Sequence, residues 1–133
     1  MRVVLDTNVL LSGMAVRGLC EALLDLLFDS PSHKVVLSEH ILTEFRRQYR
    51  EKFGMTAEET DLAESFLRAN CELAVPNDVP PDACRDPDDL PILGTLVAGE
   101  ADCLATGDAD LLALGRYEGS CILSPRQCYD ILR

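Results

Sequence analysis

The chain has 133 residues, of which 47% are apolar, with a formal net charge of −11 and a mean hydropathy of +0.06. That length suits a single domain over residues 1–133 with one continuous core, and the apolar content excludes intrinsic disorder. The acidic excess repels nucleic acid and anionic membranes at long range and favours a basic partner, unless clustered carboxylates bind cations that offset it.

Arg2-Val-Val-Leu-Asp6 reads as a buried strand that stops at a carboxylate, followed directly by Thr7 and Asn8. Residues 7–17 read as a loop, with Gly13 and Gly18 as flexible points. A helix is predicted over 18–29, on Leu19, Ala22, Leu23, Leu26 and Leu27 at helical spacing. After the turn Asp29–His33 comes a strand from Lys34 to Leu37. Ser38 then caps a helix through about Tyr49, with Ile41, Leu42, Phe45 and Tyr49 as its buried stripe. Thr56 and Glu59 have capping-box spacing for a helix from Ala57 to Asn70, with Leu62, Phe66 and Leu67 facing inward.

Cys71–Val75 reads as a third strand and the proline-rich segment 76–87 as a loop. A helix starts near Asp88 or Asp89, with Ile92, Leu93, Leu96 and Val97 on its apolar face. Cys103–Thr106 is the fourth strand, 108–114 a short helix closed by Gly115, Cys121–Leu123 the fifth strand, and Pro125–Leu132 a last helix. Strands alternating with helices predict a parallel sheet between helix layers.

Aromatic residues are scarce and Trp is absent, so the core is expected from Leu, Val, Ile and Ala. The six cysteines are scattered with no CxxC pair, which reads as small buried hydrophobes in a reducing cytosol. His33 and His40 lack partners at zinc-ligand spacing. No signal peptide is apparent, and no run approaches the ~20 apolar residues of a membrane span. A cytoplasmic protein with no membrane association is therefore expected.

Parallel topology gathers the C-terminal strand ends on one edge, where α/β sheets bind ligands. Asp6 and Asp108 follow strands there, Asp89 opens a helix, and Glu44 lies on the helix after the second strand. Several carboxylates that close together call for divalent cations, and Mg²⁺ or Mn²⁺ prefers such oxygen ligands. A metal so held activates water and stabilises charge on a phosphodiester. Asn8 cannot ionise and suits orienting a ligand, water or phosphate oxygen. Each acid also has a plainer role: Asp6 as a turn residue, Glu44 on a solvated helix face, Asp86, Asp88 and Asp89 as loop or capping acids, Asp108 as a cap and Asp110 against the helix dipole. Arg46, Arg47, Arg50 and Lys52 follow Glu44; they suit either a solvated face or contacts to phosphate, as do Arg17 and Arg85 beside two of the acidic loops.

These residues together resemble the PIN domain, a metal-dependent nuclease family. The resemblance runs from Val3 to Leu132 through VVLDTNVLLSG, LSEHILTEFRR, RDPDDLPILGTLVAGEADCLATGDADLLAL and ILSPRQCYDIL. The chain is most similar to the compact bacterial and archaeal toxins of VapC-like toxin–antitoxin pairs. The resemblance implies an α/β three-layer α/β/α sandwich with a five-stranded parallel sheet, and a Mg²⁺- or Mn²⁺-dependent ribonuclease acting on RNA. It places the family's acids on Asp6, Glu44, Asp89 and Asp108, its polar residue on Asn8, its hydroxyl on Thr106, and an extra acid on Asp110. Leu90-Pro91-Ile92 departs from the commoner pattern and keeps Asp86 and Asp88 as alternatives to Asp89. The resemblance further implies a homodimer and a protein antitoxin that blocks the site.

Of two other phosphoryl-transfer readings, the first fails on composition and the second is weak. A receiver domain needs a Lys after its last strand, and the only lysines are Lys34 and Lys52; a haloacid-dehalogenase-type phosphatase needs a second Asp where Asn8 stands. The alternative to an enzyme is a catalytically silent PIN-fold RNA-binding or regulatory protein.

Overall fold

The computed structural model describes every residue from Met1 to Arg133. Strand β1 (Arg2–Leu5) lies inside the sheet, hydrogen-bonded in parallel to β2 (Lys34–Leu37) on one side and β4 (Cys103–Ala105) on the other. Val3, Val4 and Leu5 in succession are fully buried. Adjacent strand residues point to opposite faces, so helices must cover both sides of this strand. Beyond β2 lies β3 (Glu72–Leu73), and beyond β4 lies β6 (Ser120–Leu123), both parallel to their neighbours.

The sheet has six strands in the order β3-β2-β1-β4-β6-β5, one more than expected. The addition is β5 (Arg116–Tyr117), antiparallel to β6 through the turn Glu118-Gly119. Both turn residues have positive φ, 47° and 89°, as a two-residue hairpin requires. Gly adopts that geometry freely; Glu118 in the first position is why no hairpin was expected there.

Helices α1 (Thr7–Ala15), α2 (Leu19–Asp29), α3 (Glu39–Glu51), α4 (Ala57–Asn70), α5 (Leu90–Ala98), α6 (Ala109–Leu114) and α7 (Pro125–Leu132) complete the α/β fold. The segment read as a loop after Asp6 is largely α1. The Asp6 carboxylate caps it, and Val9, Leu10 and Leu11 are buried in the core. Gly13, taken for a flexible point, lies within this helix, and a Cβ there would sit 2.3 Å from Leu24 Cδ1 of α2. Its bareness serves close helix packing.

The capping box of α4 forms as Thr56 and Glu59 predicted. Its face is otherwise placed: Leu67, Ala63 and Thr60 are buried, whereas Leu62 is 69% and Phe66 43% exposed. Phe66 meets Phe28 of α2 edge-on, with ring centroids 5.2 Å apart. The third strand is shorter than Cys71–Val75, because the chain turns away after Ala74 donates to the Leu37 carbonyl. All six cysteines are free thiols; Cys103 and Cys128 are buried and the other four half-buried.

One close approach fixes the wall beside the C-terminal strand ends. The Asn77 N–H donates to the Gly94 carbonyl at 3.1 Å, and a Cβ on Gly94 would lie 2.3 Å from the Asn77 carbonyl oxygen. The obstacle is backbone, which cannot swing aside. Gly94→Ala is therefore expected to destabilise the protein by about 1–3 kcal/mol, the usual cost of overpacking, as read by urea unfolding.

Candidate active site

The strand order reverses at β1 and β4, since the chain runs from β1 outward through β2 to β3 and later returns through β4 on the other flank. Such a reversal opens a crevice at the C-terminal ends of the two strands. Leu5 and Ala105 are register partners, and the Asp6 N–H donates to the Ala105 carbonyl at 3.0 Å. Asp6 and the segment Thr106–Asp108 thus leave the sheet side by side.

A cavity of about 380 Å³ lies at this point, lined by Asp6, Asn8, Glu44, Asp89 and Asp108. All five residues singled out from the sequence therefore share one pocket, and Thr7, His40, Gln48, Lys52, Asp88 and Ile92 complete its wall. Asp86 and Asp110 are not part of it. Asp86 caps the 3₁₀ turn Pro87–Asp89 by accepting from the Asp88 N–H at 2.9 Å. Asp110 lies 3.6 Å from the Arg85 guanidinium. A larger hollow of about 590 Å³ sits at the opposite strand ends between Met1, Phe28 and His33, but carries no convergent acids.

Asp6 is only 6% exposed. Its Oδ1 accepts from the Thr7 N–H at 2.8 Å and its Oδ2 from the Thr106 hydroxyl at 2.7 Å. The same Thr106 oxygen accepts the Asp108 N–H at 3.0 Å, so one hydroxyl ties two acidic loops together. Burial raises the pKa of Asp6, the two hydrogen bonds pull it back, Asp108 pushes it up again, and His40 draws it down. Asn8 Oδ1 faces the Gly107 N–H at 3.4 Å, a long contact across the same crevice.

The acids differ in whether their oxygens are already used. Asp6, Asp86 and Asp108 each cap a helical turn with a side-chain oxygen. Asp89 stands at the N-cap position of α5 yet makes no capping bond, and its buried Oδ2 has no partner at all. Burial first, then the charges of Asp108, Asp6, Asp86 and Asp88, push its pKa up to about 7. A buried acceptor left unpaired is costly, and a cation relieves both the desolvation and the like-charge repulsion. Glu44 behaves in the opposite way. Its Oε2 accepts from Arg47 Nη2 at 2.8 Å and Gln48 Nε2 at 3.3 Å, and the Arg47 bond above all lowers its pKa.

This donor set is carboxylate oxygen throughout, which fits a hard divalent cation. The oxygens do not form a ready cage: no three His, Cys, Asp or Glu side chains stand close enough to hold an ion as they are. Glu44 in particular is turned to Arg47, so a shared ion requires side-chain rotation.

Sequence reasoning missed His40 and Gln48. The signal was their spacing, four residues before and four after Glu44, which puts all three on one side of α3. Of the basic residues considered for phosphate contact, Arg46 is paired with Asp61 at 2.9 Å and Glu64 at 2.6 Å, and Arg47 with Glu44 and Glu51.

The raised pKa of Asp89 has a consequence for stability. Without divalent cation, folded Asp89 keeps its proton to about pH 7, whereas an unfolded aspartate loses it near 3.9. The folded state binds more protons in between, so stability falls as pH rises from about 4 through about 7. Asp89→Asn is expected to flatten that fall, melting with the parent near pH 4 and above it near pH 8, in thermal denaturation with EDTA.

A family model described as PIN domain matches residues 2–110. No curated protein matches the chain. Among solved structures, the fold is similar to a chain in the crystal structure of VapBC2 from Rickettsia felis bound to a DNA fragment from their promoter. The TM-score is 0.63, the sequence identity 14%, and the match covers 92% of this chain and 97% of that one. With the family model spanning most of its length, this chain belongs to the PIN domain family.

Proposed function

We propose that this protein is a Mg²⁺- or Mn²⁺-dependent ribonuclease that hydrolyses RNA phosphodiester bonds, and the toxin of a toxin–antitoxin pair. The observation that carries the reading is the buried, unpartnered Oδ2 of Asp89 in one cavity with Asp6 and Asp108. PIN-family membership supports nuclease chemistry.

Asp6, Asp89 and Asp108 would hold the metal, joined by Glu44 once it leaves Arg47. When bound, the ion supplies countercharge to the acids and Lewis-acid stabilisation of a phosphodiester in its transition state. Thr106 fixes the distance between Asp6 and the Asp108 loop through its two hydrogen bonds. Asn8 offers an amide for orienting a phosphate oxygen or water. While it stays on Arg47 and ionised, Glu44 serves instead to orient a water aligned with the leaving oxygen by accepting its hydrogen bond. Attack by water leaves 5′-phosphate and 3′-hydroxyl ends.

A protein antitoxin and a homodimer belong to the same proposal. The fold neighbour was solved as VapBC2 with promoter DNA, and a net charge of −11 suits a basic partner. No helix is long and apolar enough to cross a membrane, which accords with a cytoplasmic toxin.

Two measurements test this. Incubated with single-stranded or structured RNA and Mn²⁺, the protein is expected to cleave it to 5′-phosphate ends, and Asp6→Asn or Asp89→Asn to abolish cleavage. Mn²⁺ at about 100 times its Kd is expected to stabilise the fold by about 2.7 kcal/mol, seen as a higher melting temperature that Asp6→Asn removes. A folded protein whose melting ignores Mg²⁺ and Mn²⁺ and which leaves RNA intact is the silent RNA-binding or regulatory alternative.

A further inference from the structure

A strand of RNA that reaches the carboxylates meets a repulsive surface, because its phosphates and the pocket carry the same sign. Some group at the rim must offset that repulsion without being committed elsewhere. Of the four basic residues at and after the middle of α3, two are engaged in ion pairs. Arg46 is fixed to Asp61 and Glu64 of α4, and Arg47 to Glu44 and Glu51. Arg50 opens onto a separate shallow hollow beside Glu51 and Met55. Lys52 alone among them both lines the acidic cavity and makes no ion pair.

Its position follows from the helix. His40, Glu44, Gln48 and Lys52 recur every four residues and all line the cavity. Lys52 is the C-cap but keeps right-handed helical backbone, at φ −94° and ψ −33°, so the row continues through it. At 1.5 Å per residue the row is about 18 Å long, with Lys52 about 12 Å beyond Glu44. With its backbone set that far along the helix from Glu44, Lys52 suits a different phosphate of the same strand from the one at the carboxylates. Lys is suited to this as a mobile point charge with three donors.

We propose that this row on α3 is the track for a single-stranded RNA backbone, with Lys52 holding a phosphate to one side of the bond that is cut. The inference rests on the nuclease reading and adds the direction of the strand: along α3, from the carboxylates toward its C-terminal end. Gln48 lies between the two as an amide that can turn from Glu44 to the backbone.

The test uses Asp6→Asn protein, which keeps a good helix-capping residue at that position and removes cleavage from the measurement. Binding of a fluorescein-labelled single-stranded RNA is followed by anisotropy across a salt series in Mg²⁺ buffer. Adding Lys52→Gln is expected to weaken binding about fivefold at low salt and to make the slope of log K against log salt shallower by about 0.7, the signature of one lost phosphate contact. Arg50→Gln, with the same charge change on the same helix, is expected to leave the slope unaltered. A slope unchanged by Lys52→Gln, or changed equally by Arg50→Gln, overturns the track while leaving the nuclease reading intact. No RNA binding by the Asp6→Asn protein at any salt overturns the track, and the nuclease reading is then decided separately by the cleavage assay on the parent protein.

Discussion

The site is governed by like charge held at close quarters in a partly dry place. Asp6 and Asp89 are both nearly buried; Asp108 raises the pKa of both, and Asp6 raises that of Asp89. Burial and like-charge repulsion act in the same direction, so the pocket holds a proton that exposed carboxylates would give up. The rest of the structure maintains this tension. Register between β1 and β4 delivers the two acidic loops together, and the Thr106 hydroxyl links them. Asp89 is spared the capping work that occupies its neighbours. A cation is the simplest species that would resolve the conflict, although the carboxylates do not form a cage as they stand.

Helix α3 has two sides with different tasks. Glu64 of α4 accepts from Arg46 at 2.6 Å and from Arg68 at 2.7 Å, and Arg68 reaches back to Glu39 at 2.7 Å. These pairs are partly exposed and individually weak, but together they set the orientation of α3 against α4. Ile41, Leu42, Phe45 and Tyr49 anchor the helix in the core. The remaining side is presented to the pocket. Of the basic cluster after Glu44, Arg46 braces α3 against α4 and Arg47 pairs within its own helix.

Much of this was legible beforehand because it depends on local chemistry. The abrupt end of an apolar strand at Asp6 fixed the sheet edge, and capping residues such as Ser38 and Thr56 fixed helix starts. The parallel sheet followed from alternation of elements. What escaped depended on contacts distant in sequence. The helix after Asp6 was hidden by Gly13, whose purpose is visible only against Leu24. Leu62 and Phe66 match a helical stripe, yet Ala63 and Thr60 are the residues that meet the core. The hairpin at Glu118 breaks the usual turn preference. Asp89 is set apart from Asp86 and Asp88 by its burial and its unfilled oxygen, neither of which local sequence shows.

The outermost strands, β3 and β5, are each two residues long. Sheets fuse by offering a neighbour an unfilled ladder of amides and carbonyls, and two residues give almost no ladder. Growth by strand addition is therefore disfavoured at either margin, which works against fibrous self-association. Short margins of this kind shift the advantage in recognition from main-chain pairing to the side chains on the helical flanks.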